Sequence, residues 1–116
     1  MAVDKAIERT LCAIVDLLVR KDYAGLESLT HSTRLRAQEI EAGVRDYGRT
    51  LVPPPSEAFS RADVVPIRGA VPPAYSVRFR LYTQEEGLSD LELQATLIGG
   101  SDDEMMSVEL DNIIVA

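Results

Sequence analysis

Arg78 and Arg80, on alternate positions of one segment with Tyr82 two residues further on, are the side chains whose spacing most readily does chemistry. Period-two spacing places all three on one face of a strand, where two guanidinium forks beside a phenol hold a carboxylate or a phosphate. The same residues also have a structural reading. With Glu92 opposite Arg80 and Glu109 two strands from Arg78, the arginines become cross-strand ion pairs, and this reading is favoured. Each exposed pair of that kind adds only about 0.2–1 kcal/mol. His31 is the single imidazole, with no Cys or second His at metal spacing, and it reads as a surface or capping residue before it reads as a general base. Ser28, Ser32, Ser56 and Ser60 lie in no G-x-S-x-G context. Asp102-Asp103-Glu104 lacks the alternating oxygen positions of a calcium loop and reads as a solvated hairpin tip. Gly99-Gly100 precedes a strand and not a helix N-terminus, so it cradles no phosphate. No catalytic set, no metal site and no cofactor is expected from these residues.

Net charge narrows the partners. A formal charge of −7 opposes association with phosphate backbones and anionic lipid, which argues against nucleic acid and membrane surfaces. The lone Cys12 has no internal disulfide partner and is expected as a small, mostly buried hydrophobe. No basic n-region leads into an apolar run at the start, and no segment is long and uncharged enough to span a bilayer, so a cytoplasmic location is expected. At 116 residues, one domain over 1–116 is the prior.

The elements that position the arginines follow from periodicity. Val3, Ile7, Leu11, Ile14 and Leu18 recur at helical spacing, predicting a helix close to 4–20. Asp22 caps a short second helix carrying Leu26 and Leu29. Ala37, Ile40, Val44 and Tyr47 mark a third, stopped by Gly48, with Leu35 and Ile40 as a staple around a start at Arg36 and Thr33 as the competing cap. From 49 to 74 the regular signals fade among prolines; a helical turn is placed at Ser56-Glu57-Ala58-Phe59 and an edge strand at Val64 to Ile67. Beyond Ala74, Tyr75–Tyr82 and Leu91–Ile98 alternate apolar and polar residues, the mark of an antiparallel sheet covered on one side. Segregated helices and strands make the fold class α+β, with N-terminal helices packed on a curved antiparallel meander.

Keeping the apolar residues on one face sets a register. Leu81 opposes Leu91, Phe79 opposes Leu93, Arg80 meets Glu92 and Arg78 meets Gln94. In the next hairpin Leu97, Ala95 and Leu93 meet Met106, Val108 and Leu110, and Ile98 opposes Met105. A β-bulge at Asp111-Asn112 returns Ile113 and Val115 to the buried face. Tyr82, Ile98, Met105 and Ile114 then fall on the wet face, where together they form a candidate apolar patch.

The phrase Arg20-Lys-Asp-Tyr-Ala-Gly-Leu-Glu-Ser-Leu29, then a helix, then a meander ending Val108-Glu-Leu-Asp-Asn-Ile-Ile-Val115, resembles the cystatin-like or nuclear-transport-factor-2-like cone. Val44-Arg-Asp-Tyr-Gly-Arg-Thr-Leu-Val-Pro-Pro-Pro55, Asp63-Val-Val-Pro66 and Val108-Glu-Leu-Asp111 are similar to a family of small bacterial domains of unknown function. The resemblance implies a fold and carries no activity; the Asp, His or Tyr residues that enzymes of the cone superfamily bring inside are not recognisable here.

Two functional readings follow. The first is a non-enzymatic, acidic protein-interaction module, of inhibitor or immunity type, binding a protein partner or a second copy of itself through Arg78, Arg80, Tyr82, Ile98 and Met105. The alternative is a small-molecule-binding or enzymatic cone with a pocket between the third helix and the sheet, its mouth marked by Tyr47, Arg49 and Tyr75.

Overall fold

Helix formation follows the apolar spacing closely in a computed structural model that describes residues 5–30, 35–99 and 106–115. Helix α1 (Lys5–Val19) buries Ile7, Leu11, Ile14 and Leu18 along one stripe; Val3 and Asp4 lie outside the described residues. It ends with Lys21 at φ 61°, the Lys21 N–H on Leu18 O and the Asp22 N–H on Leu17 O, a Schellman closure built without glycine. Asp22 then caps α2 (Tyr23–Thr30), its Oδ1 accepting the Gly25 N–H at 2.9 Å.

Helix α3 (Ala37–Tyr47) starts at Arg36, whose N–H donates to the Glu39 carboxylate at 3.0 Å, while Ile40 is fully buried and Leu35 packs on the core. Glu27 of α2 adds a second, unforeseen cap by accepting the Ala37 N–H at 2.7 Å. Gly48 closes the helix at φ 74°, where a side chain would be strained. Thr33, the competing cap, lies outside the described residues, as do His31 and Ser32.

The helices pack against a strongly curled antiparallel half-barrel sheet, an α+β fold consistent with a cone. Its strands are β1 (Leu51–Val52), β2 (Asp63–Pro66), β3 (Ala74–Thr83), β4 (Gly87–Ile98) and β5 (Ser107–Val115). β3, β4 and β5 form the predicted meander, and β1 and β2 both pair with the other edge of β3. Between these two short strands the chain leaves the sheet as a 3-10 helix (Ser56–Arg61), whose Phe59 stacks on Phe79 at 5.2 Å between ring centroids. The two-residue β1 is a correction to the prolonged loop expected after Gly48.

Along β3 the expected alternation holds, with Val77, Phe79 and Leu81 buried and Arg78 and Arg80 exposed. Arg78 opposes Gln94, Phe79 opposes Leu93 and Arg80 opposes Glu92. Leu81 does not pair simply with Leu91, because the register shifts before Tyr82 meets Leu88. The second hairpin is two residues out from expectation: Leu97 opposes Val108, Ala95 opposes Leu110 and Ile98 opposes Ser107. A two-residue slip leaves every side chain on its face, so alternation is blind to it. Ahead of β5, buried Met106 gives its N–H to Thr10 Oγ1 at 3.1 Å, and Thr10 in turn donates to Ala6 O, tying the start of the strand to α1. The bulge falls as expected, with Asp111 extra between Leu110 opposite Ala95 and Asn112 opposite Gln94. It returns Ile113 to the core, but Val115 is 61% exposed, contrary to expectation.

Cys12 is exposed, also contrary to expectation: α1 turns it towards Pro53 and Pro54 instead of the core. Partial burial there, with Glu8 and Asp16 beside it, raises the thiol pKa.

The β3–β4 hairpin is tied to the segment before β1 by Glu85, whose carboxylate accepts the Thr50 N–H at 2.9 Å and the Thr50 hydroxyl at 3.1 Å. The backbone bond from Thr50 is the main cause that lowers the Glu85 pKa from its ordinary 4.5. A depressed folded pKa gives stability that is present above 4.5 and is lost as pH falls through the folded value. Glu85→Gln is therefore expected to lower the urea midpoint at pH 7 and to match the wild type once the pH is well below 4.5. A gap that persists or widens in acid contradicts this assignment.

Candidate functional site

The outward face of β3 carries Arg78, Arg80 and Tyr82, as the alternation requires. They line a cleft of about 230 Å³ with residues from the chain's excursion between β1 and β2: Arg61 closing the 3-10 helix, and Ala62 and Asp63 entering β2. Ala58, Phe79 and Leu88 supply its apolar lining, and Glu92 comes from β4. Three of the ten arginines of an acidic chain thus border one cleft.

The predicted ion pairs do not form. Arg80 and Glu92 are opposite in the ladder, but the register shift beyond them brings Ser89 and Asp90 closer. Arg80 Nε donates to Ser89 O at 2.8 Å and Nη2 to Asp90 Oδ1 at 3.1 Å. Glu92 instead accepts from Gln94 Nε2 at 2.7 Å. Glu109 faces Thr96, not Gln94, because of the two-residue slip, which moves it away from Arg78. The guanidiniums of Arg78 and Arg61 make no hydrogen bond or ion pair with any described residue. Asp63 opposes Arg78 across the β2–β3 ladder without forming a bridge to it.

The apolar patch separates. Tyr82 sits beside Leu88 at the hairpin end of the sheet, whereas Ile98 lies at the other end between Ala74 and Ser107. Met105 is outside the described residues. Tyr82 remains with the arginines; Ile98 does not.

Nor do Tyr47, Arg49 and Tyr75 converge on a mouth. The Tyr47 hydroxyl donates to Glu86 Oε1 at 2.7 Å and accepts the Asp90 N–H at 3.1 Å, strapping the end of α3 to the β3–β4 hairpin. Tyr75 lies near the opposite end of β3, between Pro66 and Leu97. Arg49 is exposed, donates to Gly48 O at 3.5 Å and lies within electrostatic reach of Glu85. Between α3 and the sheet, Ile40 and Val44 are buried, and Gly43 faces Ile113, whose carbonyl oxygen an added Cβ would meet at an ordinary contact distance of 3.5 Å.

Arg61 and Asp63 were missed by sequence reasoning. They arrive from the proline-rich segment, where no periodic signal assigns a face. Arg61 was recoverable only as a charge within a few residues of the predicted helical turn. Among the described residues, no group of three or more His, Cys, Asp or Glu side chains is placed to hold a metal ion. No described helix is long and apolar enough to cross a membrane.

Residues 15–116 match the model of a family described as a domain of unknown function (DUF7668), and the chain belongs to that family. No curated protein and no solved structure matches the chain.

Proposed function

We propose that this chain is a non-enzymatic recognition module that binds a carboxylate-bearing protein partner in the Arg61–Arg78–Arg80 cleft. The observation that carries this reading is the pair of guanidiniums, Arg61 and Arg78, that border a cleft with no bond to any described residue. A guanidinium held free beside apolar surface is ready for bidentate carboxylate recognition, and Arg is over-represented among residues that dominate binding energy. The polar groups of the lining are the three arginines, the carboxylates of Asp63 and Glu92 and the Tyr82 phenol, a set suited to charge recognition. Binding is the chemistry it supports.

Outside the cleft the charge is negative, and that field steers a basic partner towards the sheet while the arginines fix its register through one acidic group. An inhibitor or immunity-type protein directed at a basic target fits both features. A relationship to cystatin-like or nuclear-transport-factor-2-like cones, a bacterial source and a cytoplasmic location belong to the same proposal, supported by the quoted phrases and the curled sheet. The test uses the chain and its Arg61→Gln/Arg78→Gln variant as baits in the native host. One stoichiometric partner, a second copy included, should be recovered by the wild type. Because hydrogen bonds to charged groups contribute about 1.5–3 kcal/mol each, the variant should recover it at least tenfold less well. Equal recovery, or no stoichiometric partner, overturns the reading.

A further inference from the structure

The edge beside β3 is interrupted at the cleft. β1 pairs with Thr83 and Tyr82, and β2 pairs with Arg78 back to Tyr75, so Phe79, Arg80 and Leu81 have no strand partner on that side among the described residues. Peptide groups along a ladder point alternately to either side. Ala74 O accepts the Ile67 N–H and the Gln84 N–H donates to Thr50 O, both on the interrupted side, while Pro73 O accepts the Gly99 N–H on the β4 side. Leu81 O is likewise on the β4 side, where it accepts the Ser89 hydroxyl. Even-numbered residues of β3 therefore turn their peptide groups to the interrupted edge. Arg80 is the even-numbered residue inside the gap, and its N–H and C=O open into it without a backbone partner among the described residues.

We infer that this notch receives the free C-terminal residue of an extended segment of the protein partner, an inference that rests on the cleft being the binding site. The gap from Arg78 to Tyr82 spans roughly 13 Å at about 3.3 Å per residue, and β2 and β1 close its two ends. A strand running through would need the positions that β1 and β2 already occupy. A chain end needs only one residue's pairing, with the Arg80 N–H and C=O, and cationic donors to its carboxylate, which Arg61 and Arg78 supply. The volume agrees: about 230 Å³ is below the roughly 300–1,000 Å³ of ordinary ligand pockets and suits a group of about one residue. Phe79, Ala58 and Leu88 make the wall on which a final apolar side chain rests.

An array of acetylated hexapeptides with free C-termini, matched by copies with amidated ends, tests this with the intact chain. Affinities of the selected sequences are then measured by titration calorimetry, and amide shifts by NMR on labelled protein. The selected peptides are expected to end in an apolar residue, to weaken at least tenfold on amidation and at least tenfold with Arg61→Gln/Arg78→Gln, and to shift the Arg80 amide. The side chains of those arginines bond no described residue, so the variant should retain the wild-type amide spectrum elsewhere. Amidated peptides with an internal glutamate that bind equally well, still depending on both arginines, overturn the chain-end inference and leave the cleft reading standing. Arginine-independent binding, or shifts produced by inorganic phosphate while no peptide binds, overturns both.

Discussion

Phe79→Ala is expected to lower the free energy of unfolding by about 3–5 kcal/mol, while Arg80→Ala, one residue along the same strand, costs about 1 kcal/mol or less. Phe79 is 4% exposed, opposes Leu93 in the ladder and lies nearly parallel to Phe59, so truncation leaves a cavity that neither the sheet nor the 3-10 helix can collapse into without moving the other. The lost ring pair contributes about 0.5–1.5 kcal/mol of that total. The Arg80 side chain is 45% exposed, and its bonds to Ser89 O and Asp90 are made at the solvent boundary, where water competes for both. Small domains are stable by only about 5–15 kcal/mol, so the first substitution removes a large share and the second a small one. Urea unfolding with unchanged m-values measures both. Equal losses, or a larger loss at Arg80, would mean that β3 presents the opposite face to the core.

Alternation was sufficient to orient every residue of β3 and most of β4, because burial of one face is a periodic demand that Val77, Phe79, Leu81, Leu91, Leu93, Ala95 and Leu97 all meet. It could not count residues in a hairpin. The two-residue slip of β5 keeps every side chain on its face, and the contact that ties the start of that strand to α1, the Met106 N–H on the Thr10 hydroxyl ninety-six positions away, is announced by nothing local in either segment. The candidate site divides in the same way. Arg78, Arg80 and Tyr82 were legible because they share a strand face; Arg61 and Asp63 were not, because the chain that delivers them is shaped by prolines and by the packing of Phe59. The ion pairs expected for the arginines failed for two reasons: the extra residues of β4 bring Asp90 to Arg80 and leave Glu92 to Gln94, and the slip of β5 sets Glu109 opposite Thr96. That failure is also what leaves the cleft available for a ligand.

The irregularity that redirects Arg80 depends on one buried hydroxyl, and its removal is the second large effect expected. Between the Arg80–Glu92 and Tyr82–Leu88 pairs, β3 has one residue, Leu81, and β4 has three, so the ladder's ordinary bonds cannot be made there. Ser89 is 1% exposed and replaces them: its hydroxyl donates to Leu81 O at 2.7 Å and accepts the Leu91 N–H at 3.1 Å. Ser89→Ala leaves both buried backbone groups without that partner. Each such orphan costs about 1–3 kcal/mol, so a loss of about 2–4 kcal/mol is expected in urea unfolding, with faster hydrogen exchange at the Leu91 amide. Ser76→Ala, on the exposed face of β3, should stay within about 0.5 kcal/mol of the wild type. Since Arg80 Nε donates to the Ser89 carbonyl, the same loosening should free the Arg80 guanidinium from its present position. If Ser89→Ala is no more destabilising than Ser76→Ala, the serine does not hold the bulge, and the geometry that presents Arg80 to the cleft must have another cause.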